Sequence, residues 1–315
     1  MEFRARFSPF AGLTFINCFS AVMAHLEEMD SQEAFFWFDS MCGRSALRCR
    51  CDGEMSQWQK RICEYDFYDG GVAENIDFLF GLAGYEYRVI DNPAAFCAET
   101  SASIGENRPV IAKIREDGFC VIIGVEEGKI VCPDFADAQA CPASAPQWED
   151  VECLYRIGNK TAPEYSPVNG MARIVHVLQE SIDGDFWDGF KTAITAEMTC
   201  AERANVMNRI ADAMWHTFNC HNLAEVFRVR KFANLSDKRF DYVCQKIDEV
   251  CTSTHDLAWS IIELNRCVDW TKPAFKCFGG MVALTLDQLR KNDVMLFTLA
   301  YQAVCLLKKM EDEFR

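Results

Sequence analysis

Residues 12–26 read GLTFINCFSAVMAHL, and this stretch decides the architecture of the N-terminal half. Its apolar residues recur at three- and four-residue spacing, which predicts a helix over about 12–29. Cys18 lies near the start of that helix, just after a short loop. A helix N-terminus carries partial positive charge and free backbone N–H groups, which lower a thiol pKa and can donate to an oxyanion. The sequence therefore makes Cys18 a candidate nucleophile.

The N-terminal half combines helices with short strands. Residues 71–84 form a predicted helix that Gly84 ends, because glycine readily adopts the left-handed conformation that follows a helix. Alternating side chains predict a strand over 43–53, and the aromatic stretch 33–41 fits a short helix or a strand. Further strand patterns occupy residues 85–90, 108–114, 119–125, 129–132 and 151–157, with a tight turn at 126–128. The combination indicates an α+β domain over residues 1–160.

The C-terminal half has a different character, because residues 168–315 contain few prolines and show long 3.6-residue periodicity. We predict an all-helical bundle domain over 168–315, joined by a linker at 158–170. The predicted helices cover about 169–181, 185–196, 199–219, 221–231, 236–251, 253–266 and 281–312, the last with a weak point at 291–293 where it could break.

Four short motifs of the N-terminal half carry a family resemblance. They are NCFSA at 17–21, MCGRSALR at 41–48, FLFGLAGY at 78–85, and the series RPVI, GFCVIIG and IVCPD between 108 and 134. Their order and spacing over about 8–140 resemble the papain-like cysteine peptidase and acyltransferase superfamily. The resembling branch holds bacteriocin-processing peptidase-like domains and the butirosin-biosynthesis H-type N-terminal domain. It implies a papain-like fold, in which the cysteine-bearing helix packs on an antiparallel sheet.

The same resemblance implies catalytic positions. Cys18 would be the nucleophile, and Asp134 would orient the general base. The position of that base holds Gly118 instead of histidine. Gly12 stands where peptidases of the superfamily carry the glutamine that helps to stabilise the oxyanion. The catalytic set that the sequence offers is therefore Cys18 with Asp134.

None of the five histidines of the chain is an obvious substitute for the missing base. His25 lies seven residues past Cys18, which is a rise of about 10 Å along a helix and too far for a hydrogen bond. The others, His176, His216, His221 and His255, belong to the helical half, so they would have to act across the two domains. His216 and Cys220 are expected on one helix face, but two ligands do not make a metal site.

Three arginines alternate with apolar residues between 43 and 53, and the sequence predicts that Arg44, Arg48 and Arg50 line one exposed face. In that position they would form salt bridges or clamp a carboxylate or phosphate.

Composition narrows the classes of partner, cellular compartment and cofactor that the sequence allows. The formal net charge is −15, and residues 1–165 hold 27 acidic against 14 basic side chains. Such a chain repels nucleic acid and anionic membranes, so a cationic or neutral small molecule or peptide is the expected substrate. With no export signal, the 17 cysteines are expected as reduced thiols in a cytoplasmic protein. Cys42, Cys49, Cys51 and Cys63 fit no zinc motif, so we expect neither a metal nor a cofactor.

Two main functions follow. The first is a papain-like cysteine acyltransferase or amide hydrolase that acts on a small amine-bearing molecule or peptide. Catalysis would be degenerate if nothing replaces the histidine at Gly118. The alternative is a non-catalytic binding or assembly protein of the same fold, in a biosynthetic or peptide-processing pathway. A third hypothesis is a helical interaction protein, in which the helical half binds a partner and the N-terminal half serves only as a scaffold.

Overall fold

A computed structural model describes residues 2–8, 14–49, 73–115, 118–133, 146–184, 186–228, 238–273 and 276–313. The fold is a mixture of helices and antiparallel sheet, as α+β predicts. It divides into two compact units. Unit 1 comprises Met1–Phe38 and Arg61–Ser166, and unit 2 comprises Asp39–Lys60 and Pro167–Arg315. Each unit is described by itself below.

Helices and strands both occur up to residue 160, and the described elements after it are all helices. The elements up to that point are α1 (Phe15–Leu26), α2 (Ser31–Met41), α3 (Ala73–Ala83), β1 (Tyr85–Ile90), α4 (Phe96–Gly105), β2 (Val110–Ile114), β3 (Gly118–Ile122), β4 (Gly124–Glu126), β5 (Lys129–Val131) and β6 (Val151–Lys160). The remaining elements are α5 (Pro167–Asp183), α6 (Phe186–Thr195), α7 (Cys200–Phe218), α8 (Cys220–Arg228), α9 (Lys238–Cys267) and α10 (Phe278–Glu313).

Unit 1 is built on a four-stranded antiparallel sheet with the strand order β1-β6-β2-β3. One face of the sheet, with Ala112, Cys120 and Leu154, packs against Phe96 of α4. The other face presents Phe119 and Tyr155, whose rings lie edge-on to Phe15 of α1 at 5.4 and 5.1 Å. Side chains that alternate along a strand point to opposite faces, so both faces carry a core.

Two turn predictions are confirmed in unit 1. Gly84 follows α3 with φ +72°, the left-handed conformation expected of a residue that ends a helix. Glu127 and Gly128 both have positive φ between β4 and β5, which is the pattern of a tight hairpin turn. The predicted strand 119–125 is instead two strands, because β4 leaves the main sheet and pairs with β5.

Unit 2 consists of helices together with residues 39–60. The expected strand over 43–53 is wrong in its described part, where Arg44–Ala46 form a 3₁₀ helix. Burial explains the difference, since the alternating side chains at 47 and 48 are both enclosed instead of facing opposite sides of a sheet. This segment therefore belongs to the helical unit. The sequence pattern instead predicts it in the N-terminal domain over residues 1–160.

Two expected helix breaks in unit 2 are absent from the described chain. Helix α9 runs continuously where an end was predicted at 251–253, and α10 runs through 291–293. Asn292 Nδ2 donates to Ser253 Oγ at 3.1 Å and to Thr254 Oγ1 at 3.2 Å. The polar residues that resembled breaks are thus hydrogen-bonded contacts between the two helices, which satisfies them inside the bundle.

Among the helices that the structure describes, none offers an apolar stretch sufficient to cross a bilayer.

Candidate functional site

Cys18 lies in the first turns of α1, as the sequence predicts, but its side chain is enclosed. Only 2% of Cys18 is exposed, and every residue from Phe15 to Ala24 is buried. Its backbone N–H already donates to Thr14 O at 3.2 Å, so that amide serves the helix. The 3.6-residue pattern predicted one apolar face, whereas α1 is buried on all sides.

The N-terminal end of α1 is also covered. Asn17 Nδ2 donates to Ser8 O at 3.0 Å, and the Ser8 N–H donates to Asn17 Oδ1 at 2.8 Å. This reciprocal pair holds the N-terminal segment at the start of the helix. Sequence analysis did not single out Asn17, although an asparagine inside an apolar run is the kind of buried polar residue that needs a partner.

His25 is the one histidine whose position falls within unit 1. Its ring lies 5.0 Å from the ring of Phe3, and its Nδ1 accepts from the Arg4 N–H at 3.4 Å. Burial, followed by the charge of Arg4, lowers the pKa of His25. These contacts direct the imidazole to the N-terminal segment, two helical turns beyond Cys18.

Gly118 opens β3 opposite Ile114 with φ +88°. This backbone conformation is accessible to glycine and costly for a side chain with a Cβ. A histidine at the position that the superfamily resemblance assigns to the base would therefore strain the start of the strand. Asp134 and Gly12 lie outside the described residues.

Replacing Gly118 by Ala is expected to lower the free energy of unfolding by about 1–2 kcal/mol, because the left-handed region costs a residue with a Cβ about that much. The matched control is Gly105→Ala at the end of α4, where an added Cβ meets nothing within 4 Å. That change should stabilise by about 0.4–1 kcal/mol. Urea unfolding of both variants measures the two effects, and equal effects of one sign would contradict the assignment.

Arg48 corrects the prediction that Arg44, Arg48 and Arg50 line one exposed face, because its side chain is completely buried in unit 2. Arg50 lies outside the described residues. Arg48 Nη2 lies 2.8 Å from Asp293 Oδ1, and Arg48 Nε lies 3.1 Å from both carboxylate oxygens. Trp187 Nε1 donates to Asp293 Oδ2 at 2.7 Å. Burial lowers the pKa of Arg48, but the charge and hydrogen bonds of Asp293 raise it by more than burial lowers it. The pKa of Arg48 therefore lies above its ordinary value. This ion pair is a structural centre of the helical unit.

A second buried charge lies at Asp39. Arg44 Nη1 approaches Asp39 Oδ1 at 3.0 Å, and Asn222 Nδ2 donates to Oδ2 at 2.8 Å. Burial raises the pKa of Asp39. Burial also raises the pKa of the neighbouring Cys42 thiol to about 12, so this thiol stays protonated at neutral pH.

Two thiols of unit 2, Cys220 and Cys251, are enclosed as well. Cys220 has no exposed surface. The neighbouring Cys251 thiol, joined by the charge of Arg48, lowers the pKa of Cys220 against the opposing effect of burial. His216 and Cys220 do not share one helix, since α7 ends at Phe218 and α8 begins at Cys220.

Within the described ranges, no three potential ligands among His, Cys, Asp and Glu come together as a metal site. Cys42 and Cys49 belong to those ranges, whereas Cys51 and Cys63 do not.

Large apolar and aromatic side chains of unit 2 are exposed to solvent on α9 and α10. Tyr242 is 59% exposed, Met295 51% and Tyr301 56%, which are large values for apolar or aromatic residues. A groove of about 590 Å³ runs between the two helices beside Tyr242 and Tyr301. Its described lining is Lys238, Tyr242, Val243, Tyr301, Gln302, Cys305 and Leu306. Contiguous exposed apolar surface of this kind marks interaction sites.

The sequence matches no protein-family model, and no curated protein is detectably similar to it.

Proposed function

We propose that this protein is a non-catalytic binding or assembly protein, with a papain-like arrangement in unit 1 and a binding surface on unit 2. The observation that carries the proposal is the outer face of α10 from Val294 to Cys305. Exposed positions on this face include Val294, Met295 and Tyr301, and residues 294–307 contain no charged side chain. A helix that is uncharged all round normally has its faces covered, so this one is suited to a partner.

Two features of unit 1 support the papain-like arrangement. Helix α1 packs on β2 and β3 of an antiparallel sheet, and the candidate cysteine stands near the beginning of that helix. Helix before sheet along the chain is the order that the resemblance implies.

Two other features favour binding over cysteine acyl transfer. A nucleophilic thiol must meet its substrate, and Cys18 is buried together with its helical neighbours. The base position carries glycine in a conformation that disfavours histidine. Acyl transfer would need the thiol to be reached and deprotonated, and neither is favoured by this geometry.

Alkylation under native conditions tests this proposal. Limiting iodoacetamide at neutral pH should modify the exposed Cys97, Cys267, Cys277 and Cys305 ahead of Cys18, as mapped by peptide mass spectrometry. Cys18 should react together with the buried Cys42, and only when urea unfolds the chain. Selective early modification of Cys18 would instead favour the cysteine acyltransferase or amide hydrolase.

A further inference from the structure

Resting on the proposed function, we infer that the surface of α9 and α10 binds an amphipathic helix of another protein. In this partner an apolar stripe is flanked at both ends by acidic side chains. The partner helix lies along the outer face of α10, with some of its apolar side chains in the groove beside α9.

The shape of the surface fits a helix. The uncharged outer face runs from Val294 to Cys305, which is about 16 Å along a helix axis. Its exposed residues, Val294, Met295, Thr298, Tyr301, Gln302 and Cys305, recur at three- and four-residue spacing. The groove at Tyr301 and Tyr242 adds a recess of about 590 Å³. Helices bound in grooves insert apolar side chains at this same spacing.

Lysines mark both ends of the uncharged face. Lys291 and Lys309 are exposed and lie 18 residues apart, which is five helical turns, so both project from the same side of α10. Lys238 is the one charged residue in the described lining of the groove. No ion pair joins these three lysines to another side chain that the structure describes.

Neighbouring charges on α10 are paired within unit 2. Asp287 Oδ1 lies 2.7 Å from Lys191 Nζ, and Arg290 Nη1 lies 3.2 Å from Asp188 Oδ2. The charge offered next to the uncharged face at Lys291 is therefore positive. Acidic side chains of a partner would complement it, and they would set the position of the partner along the helix.

The same charges disfavour a second copy of this chain. If two α10 helices packed antiparallel through residues 294–305, Lys291 of each would lie near Lys309 of the other. If they packed parallel, each lysine would meet its own counterpart. Like charges at both ends oppose either arrangement.

An anionic membrane is the other surface that lysine-flanked apolar helices bind. A groove between two helices accepts protruding side chains, whereas a flat lipid surface does not fill it. The observations favour a protein helix.

Two synthetic peptides test the inference on the full-length protein. Both are fluorescein-labelled amphipathic helices with a leucine stripe, and they differ only in carrying Glu or Lys at two positions about 18 residues apart. Fluorescence anisotropy measures each affinity. We expect the Glu peptide to bind about 10-fold more tightly, since two exposed charge pairs change from repulsive to attractive, and the difference should shrink as salt rises.

Three variants complete the design. Lys291→Glu combined with Lys309→Glu should reverse the preference between the peptides, because both lysines are exposed and the apolar face is unchanged. Tyr301→Glu should abolish binding of both peptides. Gln245→Glu, at an exposed position of α9 outside the groove lining, should leave binding unchanged.

Each outcome has a distinct meaning. Equal binding of both peptides, with loss in Tyr301→Glu, would overturn the acidic partner but leave the proposed binding function intact. If neither peptide binds, both the inference and the proposed binding function would be overturned. A dimer in light scattering that Tyr301→Glu dissociates would identify a second copy as the occupant. Flotation with phosphatidylserine vesicles that Tyr301→Glu abolishes would identify a membrane, and either result would overturn the inference.

Discussion

Replacing Asp293 by Asn is expected to lower the free energy of unfolding of the helical unit by about 3–5 kcal/mol, because it leaves a buried guanidinium without its counter-charge. Arg48 is completely enclosed, and its Nη2 and Nε both contact the Asp293 carboxylate. The substitution keeps the shape of the side chain, so loss of charge dominates the effect. Urea unfolding followed by far-ultraviolet circular dichroism is a suitable measurement, since unit 2 is helical.

The same helix provides the control. Asp287→Asn removes the ion pair with Lys191, whose side chain is 41% exposed. That change should cost no more than about 1 kcal/mol, the usual range of an exposed pair. A double substitution, Arg48→Met with Asp293→Leu, should recover much of the loss, because it removes both charges together. Similar losses for Asp293→Asn and Asp287→Asn would contradict the buried pair.

Replacing Phe15 by Ala should destabilise unit 1 by about 3–5 kcal/mol, the range for removing a fully buried aromatic ring. Phe15 has no exposed surface, and its ring contacts those of Phe19, Phe119 and Tyr155. It thus connects α1 to the sheet. Hydrogen exchange of the β2 and β3 amides measures the loss within unit 1 itself.

Phe3→Ala is the matched control for this prediction. Phe3 is half-buried and lies against His25 and Phe7, at the outer end of the same helix. Its removal should cost about 1 kcal/mol, since less apolar area is lost and water can fill the space. Amide exchange should be faster in Phe15→Ala than in Phe3→Ala. An equal change of the exchange rate in both variants would show that Phe15 is not a central contact of the sheet.

Local sequence was a good guide to the elements of the sheet. Gly84 marked the end of α3, and the turn at 126–128 joined two strands, because both depend on the φ that glycine adopts easily. Strand β2 followed from its run of apolar residues. Helix α4, Phe96–Gly105, was missed, since its hydrophobic pattern is weak and it begins just after a proline-led turn.

The candidate site was predicted less well than the fold. The position of Cys18 near the start of a helix was predictable from periodicity, but periodicity suggested only one buried face. Phe15 of α1 packs on Phe119 and Tyr155, about 100 residues and more along the chain, and such distant contacts have no local signal in the sequence. The uncharged outer face of α10 was readable in the sequence as a run of 14 uncharged residues, 294–307, although its exposure was not.

The sequence by itself determined helix α1, most strands of the sheet and the turns at Gly84 and 126–128, since those choices depend on side chains within a few residues of one another. Only the tertiary structure decided which polar groups are buried and what they bind. Arg48 and Asp293 stand 245 residues apart, and Ser253 with Asn292 stand 39 apart, so neither pairing has a local signal. The physical reason is that a buried charge or amide is tolerated only where the folded chain supplies its partner, and that partner comes from a distant element.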